Sequence, residues 1–488
     1  MHNWLNNIPG SSALIAGDGV AWSRIMLQRQ IRLTCDVLMS RDEPQAPVAI
    51  LADNSPQWIA IDMATQELGI TLVPLPSFFS LTQWAHAIAA SGVRAIFCMQ
   101  AEHAQALGFT KKIPGEGRLQ LYETNQKGAL VGLDDIQKIT FTSGTTSTPK
   151  GVCLSARQQW DVAQALHAAM AGMGIERHLS LLPLAVLLEN VAGIYTALLS
   201  GAATLCPPLA ETGLSGASRF DPQVCLDSIK RYRAESIILL PQMLQALVAA
   251  ANVQDERIRS LKFAAVGGAK TPAALIETAR EKGFPVYEGY GLSECSSVVS
   301  LNLPGADCLG SAGKPLPNRK VRIAADGEIE VYRHERTRYL GEPPSGEDWL
   351  ATGDIGHLDD EGFLFISGRK KSILITGFGR NVSPEWPESV LVGTGILAQA
   401  VVFGDAQPYL VAAVVPLFAS IGNDAIQAAI DKVNQALPDY ARIHRWIAVE
   451  PFSLSNGLAT ANGRPRRDAI WQRYRNQIEP LFDSLEIE

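Results

Sequence analysis

The 488-residue chain has no CxxC pair and no cysteine–histidine cluster at zinc-ligand spacing. Its cysteines, Cys35, Cys98, Cys153, Cys206, Cys225, Cys295 and Cys308, are odd in number and thinly spread. That excludes a disulfide frame and points to reduced thiols in a cytosol. Long hydrophobic runs are also missing. The most apolar stretch, LSLLPLAVLL at 179–188, contains Pro183 and is closed by Glu189. It falls short of the roughly 18 residues of a spanning helix, so no transmembrane segment is expected. The first residues, MHNWLNNIPGSSALIAGDG, lack a basic stretch before an apolar core, so no secretory signal is expected either. Charge is sparse, at 19 % against a norm of about 25 %. With 42 Lys+Arg against 49 Asp+Glu the net charge is −7, which weighs against broad nucleic-acid binding. There is no internal repeat and no low-complexity tract.

Apolar material is ample: 47 % of the residues are hydrophobic, so the chain is globular. Single cores stop growing near 250–300 residues, so two or three packed units are expected. From Pro47 strand and helix signals alternate. Val48–Leu51 is a short apolar run, and Ser55-Pro56 caps a helix that Gly69 stops. A run at 70–75, a helix around 81–90 and a run at 93–98 follow. The pattern resumes after residue 178, with strands at 179–182, 203–206, 236–240 and 261–266. Helices lie around 191–199, 225–232 and 242–251, and another opens at Thr271-Pro272. Short connections between such elements predict layered α/β structure with parallel sheet over residues 1 to about 310. Shorter strands with Gly and Pro turns from about 310 to 365 predict a small β subdomain. After Gly368 the pattern predicts a separate small α+β domain, whose tail carries Arg464, Arg466, Arg467, Arg473 and Arg475.

The segment richest in chemistry is TSGTTSTPKG at 142–151, directly after an apolar run. Its backbone N–H groups and hydroxyls can wrap a polyanion, with Lys150 as a point charge. It lacks the GK[ST] ending of a Walker loop, and its composition equally suits a solvated turn.

This segment resembles the phosphate loop of the acyl-activating, adenylate-forming superfamily, which includes acyl-CoA synthetases, peptide-synthetase adenylation domains and luciferases. Further segments match that superfamily in order: Gly267-Gly268-Ala269, YEGYGLSE at 287–294, Thr352-Gly353-Asp354, GRKKSILITGFGRNVSPEWPE at 368–388 and NGLATANGRPRR at 456–467. The resemblance covers nearly the whole chain and is most similar to medium- and long-chain fatty acyl-CoA synthetases. It implies an AMP-forming ligase in which a carboxylate attacks the α-phosphate of ATP and a thiol or amine opens the acyl-AMP.

By that resemblance Thr142, Ser143, Gly144, Thr145, Thr146 and Lys150 hold the β- and γ-phosphates. Tyr290 stacks on adenine beside the Gly267, Gly268 and Ala269 backbone, and Glu288, Gly289 and Gly291 complete the nucleotide contacts. Ser293 meets the α-phosphate, Glu294 holds Mg²⁺, and Asp354 and Arg369 hold the ribose. Lys371 marks a hinge between an adenylation domain (1–370) and a lid domain (371–488). Gly379 leaves room for the pantetheine of CoA.

Three departures stand out. Ser147 replaces a usual glycine in the phosphate loop. Arg464 occupies the position of the lysine that bridges substrate carboxylate and phosphate; its fork is larger and differently shaped. Val186 replaces the usual histidine or other polar or aromatic residue in SLLPLAVLLEN, and a wholly apolar lining there would favour an aliphatic acyl group. The expected partners are a small carboxylic acid, ATP and CoA. An acyl carrier protein acting in trans or an amine could replace CoA, and the arginines of the tail suit an acidic carrier protein or the phosphates of CoA alike. A third reading, nucleotide or acyl-AMP binding without turnover, rests on Arg464 alone.

Overall fold

The computed structural model describes residues 13–125, 133, 135–142, 149–216, 219–333, 335, 338–343, 347–376, 380–460 and 463–482. Among them, two large sheets carry the chain to about residue 315, and the first takes one later strand at 338–339. The first has eight strands, in the order Arg338–Tyr339, Lys150–Leu154, Lys138–Thr142, Leu72–Pro74, Val48–Leu51, Ala95–Cys98, Gln120–Glu123 and Lys111–Ile113. Its four central strands are parallel and its margins antiparallel. The helix Pro56–Leu68 that joins two of these strands begins as its sequence predicts. Ser55 accepts from the Trp58 N–H, proline follows at the first turn, and Gly69 closes the helix in the left-handed region.

The second sheet runs Lys314–Pro315, Ser297–Leu301, Val286–Leu292, Phe263–Val266, Ser236–Leu239, Arg177–Leu179, Ala203–Leu205, Ala13–Gly17 and Val20–Ser23. Its centre is again parallel. One apolar core lies between the sheets. It joins Trp58, Ile59, Leu166, Ile194 and Leu198 of the helices to Val48, Phe97 and Leu154 of the first sheet and Phe263 of the second. Separate cores cover the outer faces. Crossing the central core is a buried ion pair, Lys138 Nζ to Asp62 at 2.9 Å, with Asn190 and Tyr195 supplying further hydrogen bonds. Removing either partner would strand a buried charge, so this network fixes the relative placement of sheet and helices.

A four-stranded antiparallel sheet follows, built from Val321–Ile323, Glu328–Tyr332, Trp349–Leu358 and Leu364–Arg369. Beyond it lies a three-stranded sheet of Leu397–Phe403, Leu410–Pro416 and Ile443–Ala448. Helices Glu385–Val392 and Asn423–Ala436 cover one face and helix Arg467–Ile478 the other. The helix expected around 191–199 begins earlier and is wound as a π-helix over Leu188–Tyr195 before turning α-helical over Thr196–Leu199. No helix among the described residues is long and apolar enough to cross a membrane.

Candidate active site

A cavity of about 1990 Å³ opens at the carboxyl ends of the second sheet's parallel strands and continues against residues of the three-stranded domain. Ligands of open α/β sheets bind at that end, because the strand-to-loop transitions there are free to carry side chains. Of the expected site residues, Lys150, Gly267, Gly268, Ala269, Glu288, Gly289, Tyr290, Gly291, Ser293, Glu294, Asp354, Arg369, Lys371 and Arg464 all line it. Residues 143–148 and Gly379 lie outside the described residues. Thr142 ends the strand Lys138–Thr142.

The strand Val286–Leu292 sets the geometry. It runs parallel to Phe263–Val266 and then pairs antiparallel with Ser297–Leu301, with a register shift after Tyr290. Gly291 makes the shift possible: a Cβ there would fall on the Ser297 carbonyl. Tyr290 Oη donates to Asp354 Oδ2 at 2.6 Å, and Arg369 Nε lies 2.7 Å from Asp354 Oδ1. Asp354 and Arg369 are cross-strand partners, so the pairing is built into the sheet register. Burial pushes the Asp354 carboxyl above its ordinary value, against the pull of Arg369 and the Tyr290 hydroxyl. Burial likewise raises Tyr290.

Glu288, two residues before Tyr290, is buried and accepts from the Thr271 N–H at 2.9 Å. Desolvation pushes it up to about 7, with the Thr271 hydrogen bond and Lys270 pulling back. Arg464 reaches in from the far end of the chain. Its Nε donates to Gly268 O at 2.9 Å, and Nη2 donates to the same oxygen. The Gly267–Ala269 loop is thus held between the Val286–Leu292 strand and this guanidinium. Glu294 sits on the short turn Ser293–Cys295 and accepts from Tyr339 Oη at 2.6 Å. Lys150 Nζ lies 5.1 Å from the centroid of the same Tyr339 ring and 3.9 Å from Glu342. Lys371 is exposed, whereas Lys370 is tied to Asp326 and Glu328 at 2.6 Å each.

No cluster of three or more His, Cys, Asp or Glu able to hold a metal occurs among the described residues. A lone carboxylate such as Glu294 suits Mg²⁺, which keeps several waters and takes its remaining ligands from substrate phosphates. The Glu294 carboxylate therefore fits a magnesium–nucleotide complex.

The lining of the cavity near the second sheet mixes apolar and polar side chains. Leu182, Val186, Ile238, Phe263 and Ala265 do line the cavity, but so do His178 and Ser236. His178 Nδ1 lies 2.9 Å from Ser236 Oγ, and Nε2 lies 2.8 Å from the buried Glu189. The lining is therefore not wholly apolar. In the basic tail Arg467 is largely covered, whereas Arg473 and Arg475 remain exposed. Arg467 pairs with Glu388, Arg475 with Glu479 at 2.6 Å and Arg473 with Glu450 at 3.6 Å. Tyr339, His178, Gln242 and Gln245 escaped sequence reasoning, since each lies in a segment with no chemical pattern of its own.

Solved structures share this architecture. Over 97 % of both chains, the fold is similar to the anthranilate CoA ligase AuaEII in complex with anthranoyl-AMP, with a TM-score of 0.79 at 17 % identity. It is also similar to o-succinylbenzoate CoA synthetase (MenE) from Bacillus subtilis in complex with the acyl-adenylate OSB-AMP. That match has a TM-score of 0.76 at 23 % identity and covers 96 % of this chain and 97 % of the other. These likenesses show an adenylate-forming fold, mixed α/β with a large N-terminal and a smaller C-terminal part. Residues 2–342 match the AMP-binding enzyme family and residues 371–486 the AMP-binding enzyme C-terminal domain, so the chain belongs to the AMP-binding enzymes. Among curated relatives, the 2-succinylbenzoate–CoA ligase of Bacillus subtilis is 32 % identical over 295 residues, and this match spans 57 % of each protein. The long-chain-fatty-acid–CoA ligase FadD15 of Mycobacterium bovis is 26 % identical over 89 % of this chain and 88 % of its own.

Proposed function

We propose that this protein is an ATP-dependent carboxylic acid ligase. It converts an extended, largely apolar acid to acyl-AMP and pyrophosphate and then transfers the acyl group to a thiol, that of CoA. The observation that carries this reading is the meeting of Arg464 with the Gly268 carbonyl at a cavity also lined by Tyr290, Asp354 and Arg369.

In the first step a carboxylate oxygen forms a bond to the α-phosphorus while the bond to the β-phosphate oxygen breaks and pyrophosphate leaves. Both reactants are anions, so the protein's task is to bring negative charges together and hold them in line. Arg464, anchored through Nε and Nη2 to the Gly268 carbonyl, serves that task as a cation placed at the cavity, and Lys150 neutralises the leaving phosphates. Asp354, fixed by Tyr290 and Arg369, accepts from ribose hydroxyls, while the Tyr290 ring carries adenine. Glu294 would hold Mg²⁺, which when bound would supply charge neutralisation. In the second step the thiolate attacks the acyl carbonyl carbon and AMP leaves with the electron pair. Residues 371–488 turn about Lys371 between the steps. Apolar Leu182, Val186, Ile238 and Phe263 favour an aliphatic body for the acid, in keeping with the similarity to a long-chain fatty acyl ligase.

The deciding experiment incubates the protein with ATP, Mg²⁺ and a graded panel of fatty, aromatic and hydroxylated acids. Pyrophosphate release and acyl-AMP are followed by mass spectrometry, and then CoA, a pantetheinylated carrier protein or an amine is added. Acid-dependent acyl-AMP and an acyl-CoA product are expected. Nucleotide binding with no pyrophosphate from any acid sinks the ligase reading, and thioester on the carrier alone sinks the choice of CoA.

A further inference from the structure

The strand Arg338–Tyr339 is two residues long and lies at the margin of the first sheet, where Tyr339 pairs with Val152 and Arg338 with Cys153. Lys150 stands two residues before Val152 on the same strand, which makes it a diagonal neighbour of Tyr339 on one face. Its ammonium is accordingly found 5.1 Å from the ring centroid, within cation–π range. The other end of the same side chain points to the second sheet. There Oη donates to Glu294 Oε1 at 2.6 Å, a short hydrogen bond to an ionisable group. Lys150 and Glu294 come from different sheets, and both line the cavity together with Tyr339.

We propose that Tyr339 is a positioning residue for the magnesium–nucleotide complex. Its hydroxyl fixes the direction in which the Glu294 carboxylate faces, and its ring holds the Lys150 ammonium at the phosphate end of the cavity. Lys150 is 58 % exposed and also lies 3.9 Å from Glu342, so the ring adds to the restraints on its charge. The same rigid phenol restrains the Glu294 carboxylate through its hydroxyl. The inference rests on the nucleotide reading above and adds a prediction that reading does not make: the two contacts of Tyr339 act on separable quantities.

The test is equilibrium binding of ATP to the full-length protein by titration calorimetry, without acid and with Mg²⁺ either absent or varied. Tyr339→Phe keeps the ring and removes the hydroxyl. It is expected to bind metal-free ATP like the wild type but to lose about tenfold of the gain in affinity that Mg²⁺ confers, since a hydrogen bond to a charged group is removed. Tyr339→Leu removes the ring as well and is expected to weaken metal-free ATP binding by about two- to fivefold in addition. A Phe variant with the wild-type Mg²⁺ dependence overturns the proposal. So does a Phe variant weakened equally with and without Mg²⁺, because that is the signature of a merely structural side chain. The Phe variant adds no volume, so it carries the decision even if the Leu variant fails to fold. A wild type that binds no ATP overturns the nucleotide assignment itself, and this inference with it.

Discussion

Arg464 directs two donors at one carbonyl oxygen, and that carbonyl belongs to the loop set beside Tyr290. A solvated tail charge would have no such address. Arg464→Ala is expected to lower acid-dependent pyrophosphate release by about 100-fold, the scale of losing one preorganised donor from a charged transition state. Arg464→Lys is expected to keep more of the activity than Ala. Stopped-assay pyrophosphate measurement decides it, and an unchanged rate in the Ala variant removes Arg464 from the mechanism. Glu288 makes a second prediction. Its carboxyl is pushed from 4.5 up to about 7 by burial. The folded state therefore holds its proton more tightly than the unfolded chain. The stability linked to that proton is full below pH 4.5 and is lost as the pH rises through about 7. A shift of this size corresponds to a loss on the order of 3 kcal/mol. Glu288→Gln is expected to flatten the fall in melting temperature between pH 5 and pH 8. A variant whose curve parallels the wild type assigns that pH dependence to other groups.

At the scale of elements, the π-helix Leu188–Tyr195 shows how a small residue positions a polar group. Gly193 faces the His178–Glu189 pair. A Cβ there would run into Glu189 Oε1 and lie 2.6 Å from His178 Nε2. Gly193→Ala is expected to cost about 1–3 kcal/mol in urea denaturation, because the hydrogen-bonded His178–Glu189 pair must give way to the methyl. Gly172→Ala, with no atom within 4 Å of the added methyl, is expected to leave the midpoint unchanged. An equal effect of the two substitutions would place the cost in the helix backbone and not in the crowding. The same region marks where the sequence stops being informative. Helix Pro56–Leu68 and its parallel neighbours were legible because caps, glycine stops and apolar runs are local signals. The pairing of Ala13–Gly17 with Ala203–Leu205 joins residues nearly two hundred positions apart, and no local pattern encodes it. The π winding was hidden too, because apolar spacing cannot separate it from an ordinary helix. Of the cavity lining, Tyr290, Asp354 and Arg464 were singled out through ordered motifs. Tyr339 and His178 were not, since a tyrosine or histidine in a short strand acquires its meaning only from what another strand brings to it.

The whole molecule poses a question of arrangement. The contacts of the domain after the four-stranded sheet with the rim of the cavity include three polar ones. Gln242 Nε2 donates to Gly463 O at 2.9 Å, Gln245 Nε2 donates to Leu397 O at 3.1 Å, and Arg464 meets Gly268. Both glutamines stand on helix Pro241–Ala250, so one rigid element grips the small domain at two points. Neither glutamine contact involves a charge. The rotation about Lys371 proposed above would break all three contacts together. The double variant Gln242→Ala/Gln245→Ala loses two neutral hydrogen bonds, each worth about 0.5–1.5 kcal/mol, and only in this arrangement. Acyl-AMP formation is therefore expected to slow by about 5- to 100-fold. Thioester formation from acyl-AMP supplied ready-made is expected to hold its rate or rise, because the competing arrangement is weakened. Rapid-quench measurement of the two half-reactions separates these outcomes. Equal slowing of both would mean that helix Pro241–Ala250 supports the cavity in general, and the reading of its glutamines as a releasable grip would fall.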